Sequence, residues 1–297
     1  MSVVLKDFQL ELGGVVIGHG TRVPIAEIEG LGRAPVRGDV VARPGADGAW
    51  AGTDWYEART IRIDCGIRTP GDPAAGVGIL ADLQELADAP EARTAPGAVM
   101  PLRIKWPGRE ARVLFGRLRR VDPSWEKAAV GWIPLDIEFV AVDPRFYVDA
   151  TSALTLSLST KGLGGLKAPL VAPLNTGVSV PDERRGWVRN DGTLPAWPSL
   201  RISGPCIDPR IYMPKTSQLL QLSVALTTGE FIDIETRPGT RWALRNGVEN
   251  VAVGLSTDSR LDRFQIPVGS TELWWTARGY SSASRLSVTW RAPFKSL

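Results

Sequence analysis

The stretch "RNDGTLPAWPSLRISGP", Arg189–Pro205, decides how the chain is organised. It places an Asn-Asp-Gly turn signal and two prolines, Pro195 and Pro198, in front of a short alternating strand. Asn, Asp and Gly tolerate positive φ, so we expect residues 190–192 to close a strand that runs through 187–189. Proline has no N–H to donate to a central ladder, so the prolines belong at a sheet edge or corner. The stretch therefore predicts the first corner of a second β domain.

Most of the remaining chain follows the period-two pattern of amphipathic strands. Apolar and polar side chains alternate in the runs 59–64, 102–106 and 132–142. Turn dipeptides such as Asp47-Gly48 and Asn246-Gly247 separate runs of this kind. Short strands divided by frequent turns are typical of antiparallel sandwiches and barrels. The predicted fold is mainly β, with two sandwich-type domains in series, the second of them jelly-roll-like.

One segment, "DPAAGVGILADLQELADAP" (72–90), has helical spacing instead. Asp72 is a suitable N-cap, Pro73 fits the first helical position, and Pro90 blocks continuation. Two glycines weaken the first half of this helix. We expect a single helix that covers the sheet of the first domain.

The composition sets the domain count and excludes several classes of protein. The chain has 297 residues, which is more than one hydrophobic core usually organises. Its net charge of +3 is close to neutral for this length and argues against a nucleic-acid-binding face. Neither a signal peptide nor an apolar run long enough to span a bilayer is present, so we expect no membrane segment.

Changes in composition along the chain suggest three parts. Residues 1–150 are expected to form the N-terminal β domain, and 187–297 the C-terminal β-sandwich. Between them, 151–186 is expected to be an extended strand followed by a Gly/Pro-rich linker or loop. The glycines at 162–165 lack the Lys-Ser/Thr ending of a phosphate-binding loop, so a linker is the preferred interpretation.

The residues that usually hold metals or cofactors are scarce. The single histidine, His19, lies in a Gly-His-Gly turn without companion ligands. The two cysteines, Cys65 and Cys206, are too far apart in the chain for a metal-binding spacing or a disulfide framework. We expect two buried free thiols rather than one long-range bridge. The sequence thus predicts no metal site and no cofactor.

Two carboxylate pairs were considered as catalytic acids, because a glycosidase needs two such groups. Asp136 and Glu138 stand two residues apart on one predicted strand, and Asp233 and Glu235 on another. This spacing puts each pair on one strand face, opposite the apolar side chains, as on a solvated surface. We therefore predict that the protein is not an enzyme and assign no catalytic residue.

The chain contains eleven tryptophans, of which Trp274 and Trp275 are adjacent on a predicted strand. Neighbouring strand residues point to opposite faces, so one of these rings faces outward. Such a ring is suited to contact with a partner protein or a glycan. Burial of both rings, one in the core and one under a shielded edge, remains the alternative.

Several of these features occur in the order and spacing of a known family. In the first domain they are residues 25–31, a long hairpin with Asp47-Gly48 near its tip, residues 56–61, the helix, and residues 137–147. In the second domain they are Asn190, Gly192, Pro198, Gly204, Thr228-Gly229-Glu230, Asn246-Gly247 and residues 288–291. In this order the chain resembles, almost end to end, the distal tail protein family of long-tailed, non-contractile bacteriophages.

The resemblance implies a structural component of the virion, a baseplate hub protein at the distal end of the tail. Its N-terminal domains would form a hexameric ring that continues the tail channel, with galectin-like C-terminal sandwiches outside. The partners implied are other copies of the chain, the tail tube protein, and tail tip, hub or tail-fibre proteins, with DNA only as passing cargo. The protein would be made in the host cytoplasm. A carbohydrate-binding or host-surface adhesion module is the alternative function, and a glycan-cleaving enzyme is the third hypothesis.

The hairpin from about Val36 to Tyr56 is the candidate inter-subunit arm. A long hairpin can pair with the next subunit, and a heterologous contact repeated about an axis closes a ring. The residues assigned to the arm are Val36, Val40, Asp47, Gly48, Trp50 and Tyr56.

Overall fold

The computed structural model describes residues 3–90, 94–95, 97–158 and 184–297. It confirms a mainly β protein with two compact units. The first comprises Met1–Asp149 and Pro293–Leu297, and the second Ala150–Ala292. The predicted linker falls largely within residues 159–183, which lie outside the described part of the chain.

The first unit contains ten strands before the chain leaves it. They are β1 (Gln9–Leu12), β2 (Val15–Gly18), β3 (Ile25–Glu29), β4 (Val36–Ala42), β5 (Ala49–Tyr56), β6 (Arg59–Arg68), β7 (Met100–Lys105), β8 (Arg112–Pro123), β9 (Trp132–Ala141) and β10 (Phe146–Val148). The main sheet has the order β2-β1-β7-β8-β9-β6-β3, and β10 pairs with β8. The strands β4 and β5 form a separate two-stranded sheet.

The antiparallel pair β6–β9 is the longest ladder of this unit. It runs without a register shift from Arg59 opposite Ala141 to Arg68 opposite Trp132. The odd-numbered residues of both strands face the core, where Ile61 lies opposite Phe139. The even-numbered residues form the other face, and half of them are charged: Arg62, Asp64, Arg68, Asp136 and Glu138. A strict period of two keeps these two faces separate along all ten residues.

The helix α1 (Pro73–Asp88) covers the core face, as predicted. A side-chain oxygen of Asp72 accepts a hydrogen bond from the backbone N–H of Ala75 at 3.0 Å, which confirms the N-cap. Contrary to the expected weak first half, the helix is regular from Pro73 onwards. Gly76 is buried there, and a Cβ at this position would lie 2.6 Å from Oγ1 of Thr69, so close packing accounts for this glycine.

The second unit is a sandwich of two antiparallel sheets. Its strands are β11 (Ser152–Ser157), β12 (Arg184–Asn190), β13 (Ser199–Ser203), β14 (Cys206–Met213), β15 (Gln218–Gln221), β16 (Ala225–Leu226), β17 (Phe231–Glu235), β18 (Trp242–Arg245), β19 (Glu249–Asn250), β20 (Gly269–Arg278) and β21 (Arg285–Trp290). One sheet has the order β11-β21-β13-β17-β18-β19, and the other has β12-β20-β14-β15 with β16 beside β14. Buried residues from both sheets form one core.

The stretch Arg189–Pro205 makes the predicted corner between the two sheets, although by a different turn. The chain leaves one sheet at the end of β12 and enters the other at β13. None of residues 190–192 has positive φ, contrary to expectation. Instead the fully buried side chain of Asn190 accepts a hydrogen bond from the N–H of Gly192 and donates to the carbonyls of Leu194 and Ile266. The buried side-chain amide of Asn190 therefore holds the corner together through hydrogen bonds to the backbone.

The two ends of the second unit differ from a simple division of the chain. The strand β11, grouped with the linker by composition, pairs along its whole length with β21. The last strand, β22 (Pro293–Phe294), returns to the first unit and pairs with β10. There the ring of Phe294 lies 3.6 Å from the guanidinium of Arg112. Burial lowers the pKa of Arg112.

Among the described residues, no helix is long and apolar enough to cross a membrane.

Both cysteines are free and buried, as expected, and we predict that they are unreactive in the folded protein. Burial, assisted by the charges of Asp64 and Asp136, raises the pKa of Cys65 to about 12, and burial raises that of Cys206 to about 11. The thiolate is the reactive form, so iodoacetamide at about pH 8 should modify neither residue. Mass spectrometry should show no adduct on the native chain and two after denaturation. Modification of either thiol before unfolding would contradict this.

Candidate assembly surface

The strands β4 and β5 form a ribbon that pairs with no other described strand. Every residue of both strands is solvent-exposed. The chain turns between Arg43 and Gly48, where the N–H of Arg43 donates to the Gly48 carbonyl at 3.2 Å. A lone two-stranded hairpin is only marginally stable in water, and its free edges are templates for pairing. We call this ribbon, from Val36 to Tyr56, the arm.

The arm brings together the residues assigned to it from the sequence. Val36 lies opposite Tyr56 at the base, and Asp47 and Gly48 form part of the tip. Val40, Trp50 and Tyr56 are 70%, 55% and 53% exposed. Large apolar side chains this exposed are unusual when they cluster on one short element.

Sequence reasoning missed two further members of this cluster, Val41 and Trp55, which are 59% and 60% exposed. The strand β4 is regular, so Arg37 and Val41 share one face of the ribbon. Their partners across the ladder are Trp55 and Trp50, which therefore share it too. Their spacing of five residues gave no signal of this shared face, because it places the two tryptophans on opposite faces of a regular strand. A register shift between Gly38 and Val40 inserts one extra residue in β5 and brings both rings to the same face.

Arg59 anchors the base of the arm. It is 1% exposed and begins β6, three residues after the arm ends. Its Nη1 donates to the carbonyls of Gly30 and Gly32 at 2.6 and 2.5 Å, and its Nε donates to the Pro144 carbonyl at 3.3 Å. The ring of Phe146 lies 4.6 Å from the guanidinium. Burial lowers the pKa of Arg59. The guanidinium thus ties the chain before the arm to the chain after it.

Two backbone features complete this base. The N–H of Glu57 donates to the Pro35 carbonyl at 2.9 Å and closes the neck of the hairpin. Gly30 has a φ of +84°, and a Cβ there would lie 2.0 Å from the Thr60 carbonyl oxygen. Only glycine fits this close approach of two backbones. The neck is therefore rigidly built, whereas the strands of the arm are fully exposed.

The face of the main sheet opposite the core forms a shallow charged groove of about 350 Å³. Its charged lining residues are Glu27, Glu29, Arg62, Asp64, Arg120, Asp136 and Glu138. Arg62 pairs with Glu138 at 3.5 Å, and Asp64 lies opposite Asp136 in the ladder. The prediction that Asp136 and Glu138 share a strand face outside the core is therefore confirmed. Within the described residues no group of three or more Asp, Glu, His or Cys side chains could hold a metal ion.

The second carboxylate pair does not form a solvated face. Asp233 pairs with Arg201, but Glu235 is only 5% exposed. Its carboxylate accepts hydrogen bonds from the backbone N–H groups of Thr236 and Arg237, the Arg237 guanidinium and the Ser199 hydroxyl. The Glu235 carboxylate is thus fully engaged in holding the end of β17, which the alternation of residues did not indicate.

The two adjacent tryptophans point to opposite faces of β20, as alternation predicts. Trp275 is fully buried in the core of the second unit, so it is not available for contact with a partner or a glycan. Trp274 lies on the outer face and is half-buried. Its ring meets that of Tyr212 edge to face, with 5.8 Å between centroids. An outward contact is therefore left to Trp274.

We predict that replacing Arg59 by Met lowers the free energy of unfolding by about 3 kcal/mol, because three backbone carbonyls lose the charged donor that the buried Arg59 side chain supplies. The neck should also open, so limited proteolysis should cleave near residues 30–35 faster than in the parent protein. Denaturant titration and peptide mapping measure both effects. Arg62→Met, on the same strand but 68% exposed at its side chain, is the matched control and should change stability by less than about 1 kcal/mol. Equal stability of the two variants would refute the anchoring role.

Comparisons with known proteins place the fold. No protein-family model matches the chain, and no curated protein matches it in sequence. Among solved structures, the chain matches the Dit protein of phage SPP1 with a TM-score of 0.61 and 14% identity, over 97% of this chain and 100% of that one. That protein is described as a paradigm of the hub adsorption apparatus in phages infecting Gram-positive bacteria. A chain of the phage P2 baseplate in its activated conformation with calcium matches with a TM-score of 0.53 and 11% identity, over 95% and 97%. The same baseplate with strontium gives 0.52 and 12%, over 94% and 96%. Over nearly its whole length, this chain has the fold of phage hub and baseplate proteins.

Proposed function

We propose that this protein is a structural component of a bacteriophage tail, which forms a ring at the distal end of the tail tube and joins the tube to the tail tip or baseplate. The likeness in fold to phage hub and baseplate proteins extends through both units and supports this role. In the virion its partners are the tube protein above, tip, hub or tail-fibre proteins below, and DNA as passing cargo. The protein is made in the host cytoplasm and acts without catalysis.

The arm is the observation that supports assembly most directly. A monomer gains nothing from exposing two tryptophans, a tyrosine and three valines on one ribbon, since each would be more stable away from water. The apolar arm and its two free edges are suited to a second copy of the same chain. An arm on one subunit and a different receiving surface on the next make a heterologous contact, which closes a ring when repeated about an axis.

The same proposal gives the two units different roles. The first unit, residues 1–150 in the expected division, bears the arm and forms the ring. The second, from residue 187 onwards in that division, is the galectin-like sandwich. The rigid neck at Arg59 directs each arm, so that six subunits meet at a constant angle. A hexamer is the ring size we propose.

Ring formation is tested on the purified full-length chain. Negative-stain images should show rings with a central hole, and light scattering should give a mass of six subunits. The double variant Trp50→Ser/Trp55→Ser should shift the protein toward monomer, while its thermal unfolding stays within a few degrees of the parent, because both side chains are already exposed in the monomer. Removal of Pro44–Gly48 at the tip should likewise weaken the rings without unfolding the monomer.

The matched control is Trp187→Ser, which removes a tryptophan that is 68% exposed in the second unit. It should leave the rings intact. A parent protein that stays monomeric at every concentration and is absent from assembled particles would overturn the proposed function. Rings that survive the loss of both arm tryptophans would overturn only the role of the arm.

A further inference from the structure

The outward face of the β12-β20-β14-β15 sheet presents a row of side chains that the core does not use. Arg185, Trp274, Tyr212 and Leu219 lie opposite one another across these four strands. The guanidinium of Arg185 lies 4.4 Å from the centre of the Trp274 ring, and that ring meets the Tyr212 ring edge to face. The row is a strip of aromatic surface that runs across the sheet.

Trp187 extends this strip. It lies two residues from Arg185 on the same face of β12, opposite Glu272, and it is 68% exposed. Because Glu272 and Trp274 are two apart on β20, Trp187 is a diagonal neighbour of Trp274, a relation that places Cα atoms about 7–8 Å apart. The two indoles and the Tyr212 ring thus form one platform. We call the outward side chains of these strands the aromatic face.

The aromatic face carries four arginines, Arg185, Arg189, Arg210 and Arg278. Three of them are ion-paired: Arg185 with Glu272, Arg278 with Asp208 and Arg189 with the adjacent Asp191. Arg210 is exposed, lies 5.9 Å from the centre of the Tyr212 ring, and makes no ion pair among the described residues. A planar guanidinium beside an aromatic ring suits a carboxylate or phosphate group that approaches over the ring.

We propose that the aromatic face binds an anionic glycan chain. The apolar face of a sugar ring would stack on Trp187, while an acidic substituent pairs with Arg210. Polar groups interleave with the rings, since Thr276 and Gln221 lie on either side of Arg210 in the ladder. This mixture is suited to hydroxyl-rich ligands.

The proposal is tested by binding of the full-length protein to immobilised polymers. Polygalacturonate offers carboxylates, a glycerol-phosphate teichoic acid offers phosphates, dextran is the neutral glycan, and poly-L-glutamate is the acidic peptide. We expect binding to at least one of the two anionic glycans, weakened by added salt, and little to dextran or poly-L-glutamate. The polymer that binds identifies the acidic group. Trp187→Ala and Arg210→Ala should each weaken binding at least about tenfold, since exposed anchors of this kind dominate binding energy.

Trp125→Ala is the matched control, because this tryptophan is 54% exposed in the first unit. It should leave glycan binding unchanged. Absence of binding to both anionic glycans, or equal loss in the control, would overturn the proposal. Binding to poly-L-glutamate of equal strength would also overturn it, in favour of an acidic protein partner. The proposal does not depend on the ring: images of the same samples report assembly separately, and Trp187→Ala should bind poorly yet still form rings.

Discussion

The first unit depends on one physical constraint, the antiparallel pairing of β6 with β9 over ten residues without a slip. Because side chains alternate strictly along a strand, a shift of one residue would bring the charged side chains into the core. The odd-numbered residues from Ile61 to Ile67 and from Ile133 to Ala141 fill that core together with the helix. The same register places acids and arginines together on the opposite face, where they form the charged groove. The ladder also sets the position of Arg59, its first residue.

Arg59 connects this core to the surface proposed for assembly. Its guanidinium is held among backbone carbonyls and a phenylalanine ring, without a carboxylate among its contacts. A lysine could not make the same set of bonds, because its single ammonium lacks the planar fork that reaches several carbonyls. The cost of burying the charge is offset only if these donors all find acceptors. A neck held by several hydrogen bonds next to an exposed ribbon is the arrangement expected of an element that must be directed accurately toward a partner.

The second unit separates its core from its proposed binding surface by faces. Its inner faces form a dry core in which Trp275 is completely buried. The outer face of one sheet keeps Trp187, Trp274 and Tyr212 beside arginines, where none of them contributes to the central packing. Aromatic side chains grouped beside arginines mark this outer face as the candidate binding surface of the unit.

Much of this architecture could be read from the sequence, because it follows from local rules. Period-two alternation determined the strands, and Asp72 and Pro73 determined where the helix begins. The Asp47-Gly48 and Asn246-Gly247 pairs marked hairpin turns, since their conformational preferences act within a few residues. What only the tertiary structure decided involves contacts distant in sequence. The burial of Glu235, the clamp made by Asn190, the pairing that aligns Trp50 with Trp55 and the meeting of Trp274 with Tyr212 each depend on which strands lie side by side. Strand pairing is set by the summed burial of both faces of a whole sheet, and no single segment contains that information.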